Sequence, residues 1–191
     1  MTTSALITAS LMATALVAGV AAIDREVVQD TFADTQAVIE FQRAADTYAF
    51  VHRQVERRIR VAHRHAGETS EVIPSAELRT ALLAERSATL DSPLFTPAVV
   101  TALRRIAARA ARAPGCDPGE LRSGVWEMSH EINSLATGAR PVSACIATAL
   151  PALPDELEYR SAGTVLLLVD PHANLVVDVL PALLAGSEIR R

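Results

Sequence analysis

Residue types with chemical capacity are few in this chain, and they are scattered. Glu127-x-x-His130, with Glu131 beside it, has the spacing that aims two metal ligands inward in di-iron helix bundles. Such sites repeat the motif on a second helix and add further carboxylates. Here it occurs once, and it reads as a surface polar run. Asp170 and His172 have the types of an acid–base pair, yet they flank Pro171 in a turn, where both are ordinary. Cys116, next to Asp117-Pro118, has no identifiable base to activate it. His63 and His65 lie two apart, on different faces of a helix, which argues against a shared ion. There is no Walker loop, dinucleotide glycine fingerprint, GxSxG elbow or HExxH. The expectation is a non-enzymatic protein with no catalytic, cofactor-binding or metal residues.

What would position any such residue is a long helix. No proline occurs before Pro74 and no glycine between Gly19 and Gly67, which leaves a helix-compatible run from about Ser4 to His65. If continuous it would measure on the order of 90 Å. Val27, Thr31, Asp34, Val38, Phe41, Ala45, Tyr48, His52, Val55, Ile59 and Ala62 recur at spacings of four and three. That is the a/d seam of a coiled coil, apolar from Val38 onward except at His52, which reads as a tolerated polar core residue. A lone helix has nothing to bury this seam against. It must pair with other copies or fold back on downstream helices, and Val38, Phe41, Tyr48, Val55 and Ile59 are the residues expected to form the oligomer seam. The basic run Arg53 to His65 reads as a solvated helix end whose charge suits the C-terminal dipole.

Downstream, Ala66 to Ser70 is a break, and Ser75 caps a helix over about 76–88. Asp91-Ser92-Pro93 is a turn, and Thr96-Pro97 is an N-cap followed by proline at the first helical position. The helix Ala98 to Arg112 is amphipathic with a basic face, ended by Ala113-Pro114-Gly115. Between 116 and 150, Trp126 to Leu135 suggests a helix, and Pro141 to Leu150 an apolar helix or extended turn. Leu157 to Arg160, Thr164 to Asp170 and Asn174 to Leu180 read as strands joined by 161–163 and 171–173. They suggest a small antiparallel meander packed against the 97–112 helix.

The first 23 residues bear on location. From Ser4 to Ile23 there is no charge and no proline. Twenty helical residues would span roughly 30 Å, the thickness of a bilayer's hydrocarbon core. A secretory signal would need a positive n-region, and no basic residue precedes Arg25, although Val20-Ala21-Ala22 would tolerate cleavage. A lone membrane anchor is disfavoured by the richness in Ala, Ser and Thr. Ala5, Ala9 and Ala13, like Thr14, Ala18 and Ala22, recur every four residues, a spacing that lets helix backbones approach closely. Leu6, Leu11, Leu16 and Val20 supply the bulk of an apolar bundle in contact with the membrane.

Formal charge is −4, which gives no electrostatic reason to expect nucleic acid. All 18 basic residues are arginine. Two cysteines, Cys116 and Cys145, permit one disulfide; reduced thiols fit a cytoplasmic chain and a disulfide fits an exported one.

Leu150-Pro-Ala-Leu-Pro-Asp-Glu-Leu-Glu-Tyr-Arg160 and Asp170-Pro-His-Ala-Asn-Leu-Val-Val-Asp-Val-Leu-Pro181, with Leu94-Phe-Thr-Pro97 upstream, are similar to a block found in short, largely uncharacterised bacterial proteins. That resemblance covers about half the chain and brings no catalytic residues. In layout, an apolar self-associating N-terminus, a long helix and a compact C-terminal domain, the chain resembles the stalk subunit of actinobacterial high-affinity uptake nickel–iron hydrogenases. The resemblance implies an oligomeric scaffold that anchors hydrogenase subunits and brings menaquinone to them through an apolar tube.

The expectation is thus a mainly α chain: an apolar membrane-associating helix (1–23), a coiled-coil stalk (24–66), and a C-terminal α+β domain (75–191) with a short antiparallel meander that docks a protein partner. Its place would be the membrane, on the cytoplasmic face. The alternative is an exported soluble envelope protein freed of its first 22 residues.

Overall fold

The computed structural model describes residues 14–68, 70, 72–89, 93–119, 121 and 130–184, with backbone alone for 14–30 and 87–89. Its elements are α1 (Thr14–His65), α2 (Ser75–Thr89), α3 (Pro97–Ala111), β1 (Arg140–Pro141), α4 (Ala144–Ala147), β2 (Glu158–Ala162), β3 (Val165–Asp170) and β4 (Leu175–Leu180). Helix outweighs strand, and the four strands form one antiparallel sheet in the order β1-β2-β3-β4.

α1 is an unbroken helix of 52 residues, about 78 Å long. It stops where the sequence provides a stop. Gly67 takes a left-handed φ of 78°. Glu68 N–H donates to His63 C=O at 2.9 Å and Gly67 N–H to Arg64 C=O at 3.2 Å, so the last carbonyls are satisfied. α3 starts as its sequence predicts, with Pro97 first in the helix and the Thr96 hydroxyl accepting from Val99 N–H.

The inward face of α1 carries Ala37, Phe41, Ala45, Tyr48, Val55 and Ile59, all buried. Their partner belongs to the same chain. Ala37, Phe41, Ala45 and Tyr48 share a core with Val99, Ala102, Leu103 and Ala107 of α3 and with Leu166, Leu168, Val177 and Leu180 of the sheet. Val55 and Ile59 pack with Leu78 and Leu82 of α2 and with Leu175. From Phe41 on, the inward side of this helix packs against α2, α3 and the sheet of its own chain. Val38 is only half-buried, while Thr31 and Ala62 are exposed.

β3 is buried along its whole length, as a continuous Val-Leu-Leu-Leu-Val run requires. Leu166 and Leu168 face the helices, while Val165, Leu167 and Val169 face the opposite side, beneath Ala136 and Ala139. Residues 130–135, expected to be helical, instead run beside β4: Asn133 N–H donates to Val176 C=O, and Val176 N–H donates to Ser134 C=O. Asn133 adopts φ 72°, which ends any helical path there.

The β3–β4 ladder slips between Leu168 and Val169, so that Leu168 faces Asp178 and Val169 faces Val176. Val177 is the extra residue, a β-bulge. Both Val177 and Asp178 consequently serve the helix side. Val177 enters the core, and Asp178 accepts Phe95 N–H at 2.7 Å, tying the start of α3 to the sheet. The carbonyl of Val177, displaced from the ladder, accepts from Arg86 of α2 at 3.0 Å.

Cys116, after α3, and Cys145, in α4, form a disulfide with Cα atoms 5.6 Å apart. Leu6 and Leu11 lie outside the described residues, as do the side chains of Leu16 and Val20. Among the described residues no helix is long and apolar enough to cross a membrane.

The two faces of α1 predict opposite responses to truncation. Phe41→Ala should cost about 3–5 kcal/mol by emptying the shared core, whereas Phe50→Ala, at a side chain 56% exposed, should stay within about 0.5 kcal/mol. Urea midpoints measure both, and equal losses would mean that the buried side of α1 has been misassigned.

Candidate functional site

Among residues with chemical capacity, the structure gathers a set that lies far apart in sequence. Tyr48 and His52, one turn apart on the inward face of α1, both reach Asp170 at the C-terminal end of β3. Asp170 follows Leu166 and Leu168 on the helix side of the strand, so the alternation that makes the core also turns its carboxylate inward. Its side chain is completely buried, and that of His52 is 1% exposed.

A buried carboxylate must replace its lost hydration with hydrogen bonds. Asp170 Oδ2 accepts the Tyr48 hydroxyl at 2.8 Å and lies 2.6 Å from His52 Nδ1. Asp170 Oδ1 accepts Ala173 N–H at 2.9 Å, closing the turn into β4. Arg79 of α2 donates to Ala173 C=O at 3.2 Å, and the Arg86 guanidinium sits 5.6 Å from the centre of the Tyr48 ring. One carboxylate thereby joins α1 to the β3–β4 turn, while α2 braces both.

Burial, and then the neighbouring Asp170 charge, raise the Tyr48 hydroxyl far above the ordinary phenol range, so it stays a proton donor. For His52, burial works against the imidazolium. The Asp170 hydrogen bond and charge, with Glu56 adding to them, outweigh it and hold the pKa above the usual imidazole value. Glu56 Oε1 stands 3.5 Å from His52 Nε2. A protonated ring between two carboxylates is the form this setting favours.

Chemically, an aspartate on Nδ1 is what orients a histidine for base or ligand work at Nε2. Here Nε2 is buried, with the Glu56 carboxylate 3.5 Å away as its neighbour. The His172 ring, exposed on the turn, lies edge-on to His52 with centroids 5.5 Å apart.

Other sequence candidates stand apart. Glu127 lies outside the described residues; His130 is buried, its Nε2 3.0 Å from Thr137 C=O, and Glu131 is exposed. His63 sits 2.9 Å from Glu77 and 3.4 Å from Glu68, and His65 is exposed elsewhere. Asp170 and His172 flank a turn as expected, but Asp170 is no ordinary turn residue, because a residue 118 positions earlier is hydrogen-bonded to it. The signal available in the sequence was polarity at inward positions: Tyr48 and His52 on the seam, and Asp170 in phase with Leu166 and Leu168.

Comparison with protein-family models, with curated proteins and with solved structures returns no match.

If Asp170 is the junction described, Tyr48→Phe should leave its carboxylate short of one partner and lower stability by about 1–3 kcal/mol with little change in fold. Chemical denaturation with near-ultraviolet circular dichroism checks this. An unchanged midpoint would remove Tyr48 from the network.

Proposed function

We propose that this chain is a non-enzymatic, homo-oligomeric scaffold that meets the membrane through the apolar stretch 4–23 and presents its helix-and-sheet body to a protein partner. The observation that carries the reading is the unequal use of α1. From Ala37 onward the helix is embedded in the body. Residues 14–36 continue it for about another 35 Å. Along this arm Asp34 reaches Arg105 at 3.2 Å, and Phe32 is 74% exposed. Coiled-coil contact between copies then falls to the arm, where small residues recur every four positions, since the seam beyond it is occupied. A bundle of arms, rather than one helix, would touch lipid. In its fullest form the proposal is a stalk beside an uptake hydrogenase with menaquinone inside the bundle; that extension rests on the resemblance in layout alone.

The test compares the full chain with one beginning at Ala37. The full chain should be a multimer by light scattering and float with phospholipid vesicles, and the shortened one should be monomeric, lipid-free and equally folded. A monomeric full chain would end the scaffold reading.

A second reading, an exported envelope protein, is favoured by the Cys116–Cys145 disulfide, since such bonds persist in oxidising compartments. It predicts a mature N-terminus near Ile23 and no thiol alkylation in protein taken directly from cells. An intact Met1 with two alkylated cysteines would rule it out.

A further inference from the structure

We propose that His52, Asp170 and His172 form a binding site for a divalent transition metal of the zinc type. One ligand atom from each residue lies within 4.8 Å of those of the other two. Two imidazoles and a carboxylate are the donors Zn2+ accepts in tetrahedral sites, usually with water in the remaining position.

The three residues differ in a way that suits capture of an ion. His52 and Asp170 are immobilised by burial and by the surrounding hydrogen bonds. His172 is exposed at the rim, its ring edge-on to His52. Ligands of one zinc ion stand roughly 3–3.5 Å apart, given bonds of about 2.0–2.2 Å at tetrahedral angles. His52 Nδ1 and Asp170 Oδ2 are already within that span, so the closing, at most about 1.8 Å, falls to the exposed His172.

Two further observations point the same way. His52 Nδ1 and Asp170 Oδ2 already face each other at 2.6 Å, so an ion bound by both would replace the proton between them. The Tyr48 hydroxyl and Ala173 N–H hold the Asp170 carboxylate in orientation, as outer hydrogen bonds do for metal-bound carboxylates. Asp170 and Glu56 supply negative charge around the ion, and Arg86 sits against the Tyr48 ring with opposite charge. With one ligand on α1 and two at the β3–β4 turn, the bound ion would join the helix to the sheet at a second point beside the Asp170 hydrogen bonds. This site is independent of the scaffold reading.

The test uses the full, disulfide-bonded chain, stripped with chelator and desalted, titrated with Zn2+ by calorimetry and followed by thermal unfolding. Co2+ serves as a spectroscopic substitute whose visible bands report coordination geometry. His172→Ala changes an exposed side chain and leaves the core intact. His63→Ala is the control, because His63 lies beside two carboxylates, Glu68 and Glu77, and takes no part in the site. The expected result is one ion per chain for the native and His63→Ala proteins, tetrahedral Co2+ bands, and an unfolding temperature that rises with free Zn2+. His172→Ala should weaken binding at least about tenfold and lose the bands. Binding that survives His172→Ala unchanged, disappears with His63→Ala, or is absent from the native chain overturns the site.

Discussion

A carboxylate with no access to water sets the terms for the rest of this structure. Once Leu166 and Leu168 face the helices, the pleat brings Asp170 to the same side, and its charge must find donors there. The donors come from a helix more than a hundred residues earlier and from the backbone of the turn that follows. This demand fixes the axial position of α1 on the sheet. A slide of one helical turn would bring only one of Tyr48 and His52 to the carboxylate and cost it the other donor. Apolar contacts along α1 are more forgiving, since Ala37, Ala45 and Ala49 present nearly interchangeable surfaces. The hydrophobic core gives the helix a reason to dock, and the polar junction decides where.

A similar division of labour operates at β4. The bulge at Val177 puts an extra residue on the helix side, and the sheet then offers both an apolar side chain and a charged one over a short stretch. Asp178 holds the backbone at Phe95, and the freed Val177 carbonyl holds Arg86. The three long helices are thus each attached to the sheet by a buried polar contact as well as by packing: α1 at Asp170, α2 at Val177, α3 through Asp178. Buried polar contacts add less to stability than to the choice of one arrangement among several of similar apolar content.

Much of this was written plainly in the sequence. The Val-Leu-Leu-Leu-Val and Leu-Val-Val runs are strands on period and β-branching, Thr96-Pro97 marks a helix start, and the glycine at 67 marks a helix end. The periodic face of α1 was also visible, and its need for a partner followed from it. The partner's identity did not, because a seam of Phe, Tyr, Val and Ile satisfies a second copy or a distant part of its own chain equally well. Two-residue β1 and the 130–135 segment were hidden for a related reason. They have no pattern of their own and owe their conformation to backbone partners in β2 and β4. The Asp170 junction was least legible. Aspartate before proline is a common turn signal, and its burial depends on residues that no local window contains.

The separation between those partners also shapes how the protein is made. Tyr48 and Asp170 are 122 residues apart, and the sheet that covers the first helix is synthesised well after it. At typical elongation rates of about 5–20 residues per second, Tyr48 waits roughly 6–24 s for Asp170, and the part of α1 that faces the sheet waits about as long for its cover. During that interval the emerging helix is a ready surface for chaperones or for neighbouring nascent chains. The alanines interspersed along that face lower the exposed apolar area per turn while it waits, which is a property of biosynthesis that the finished core conceals.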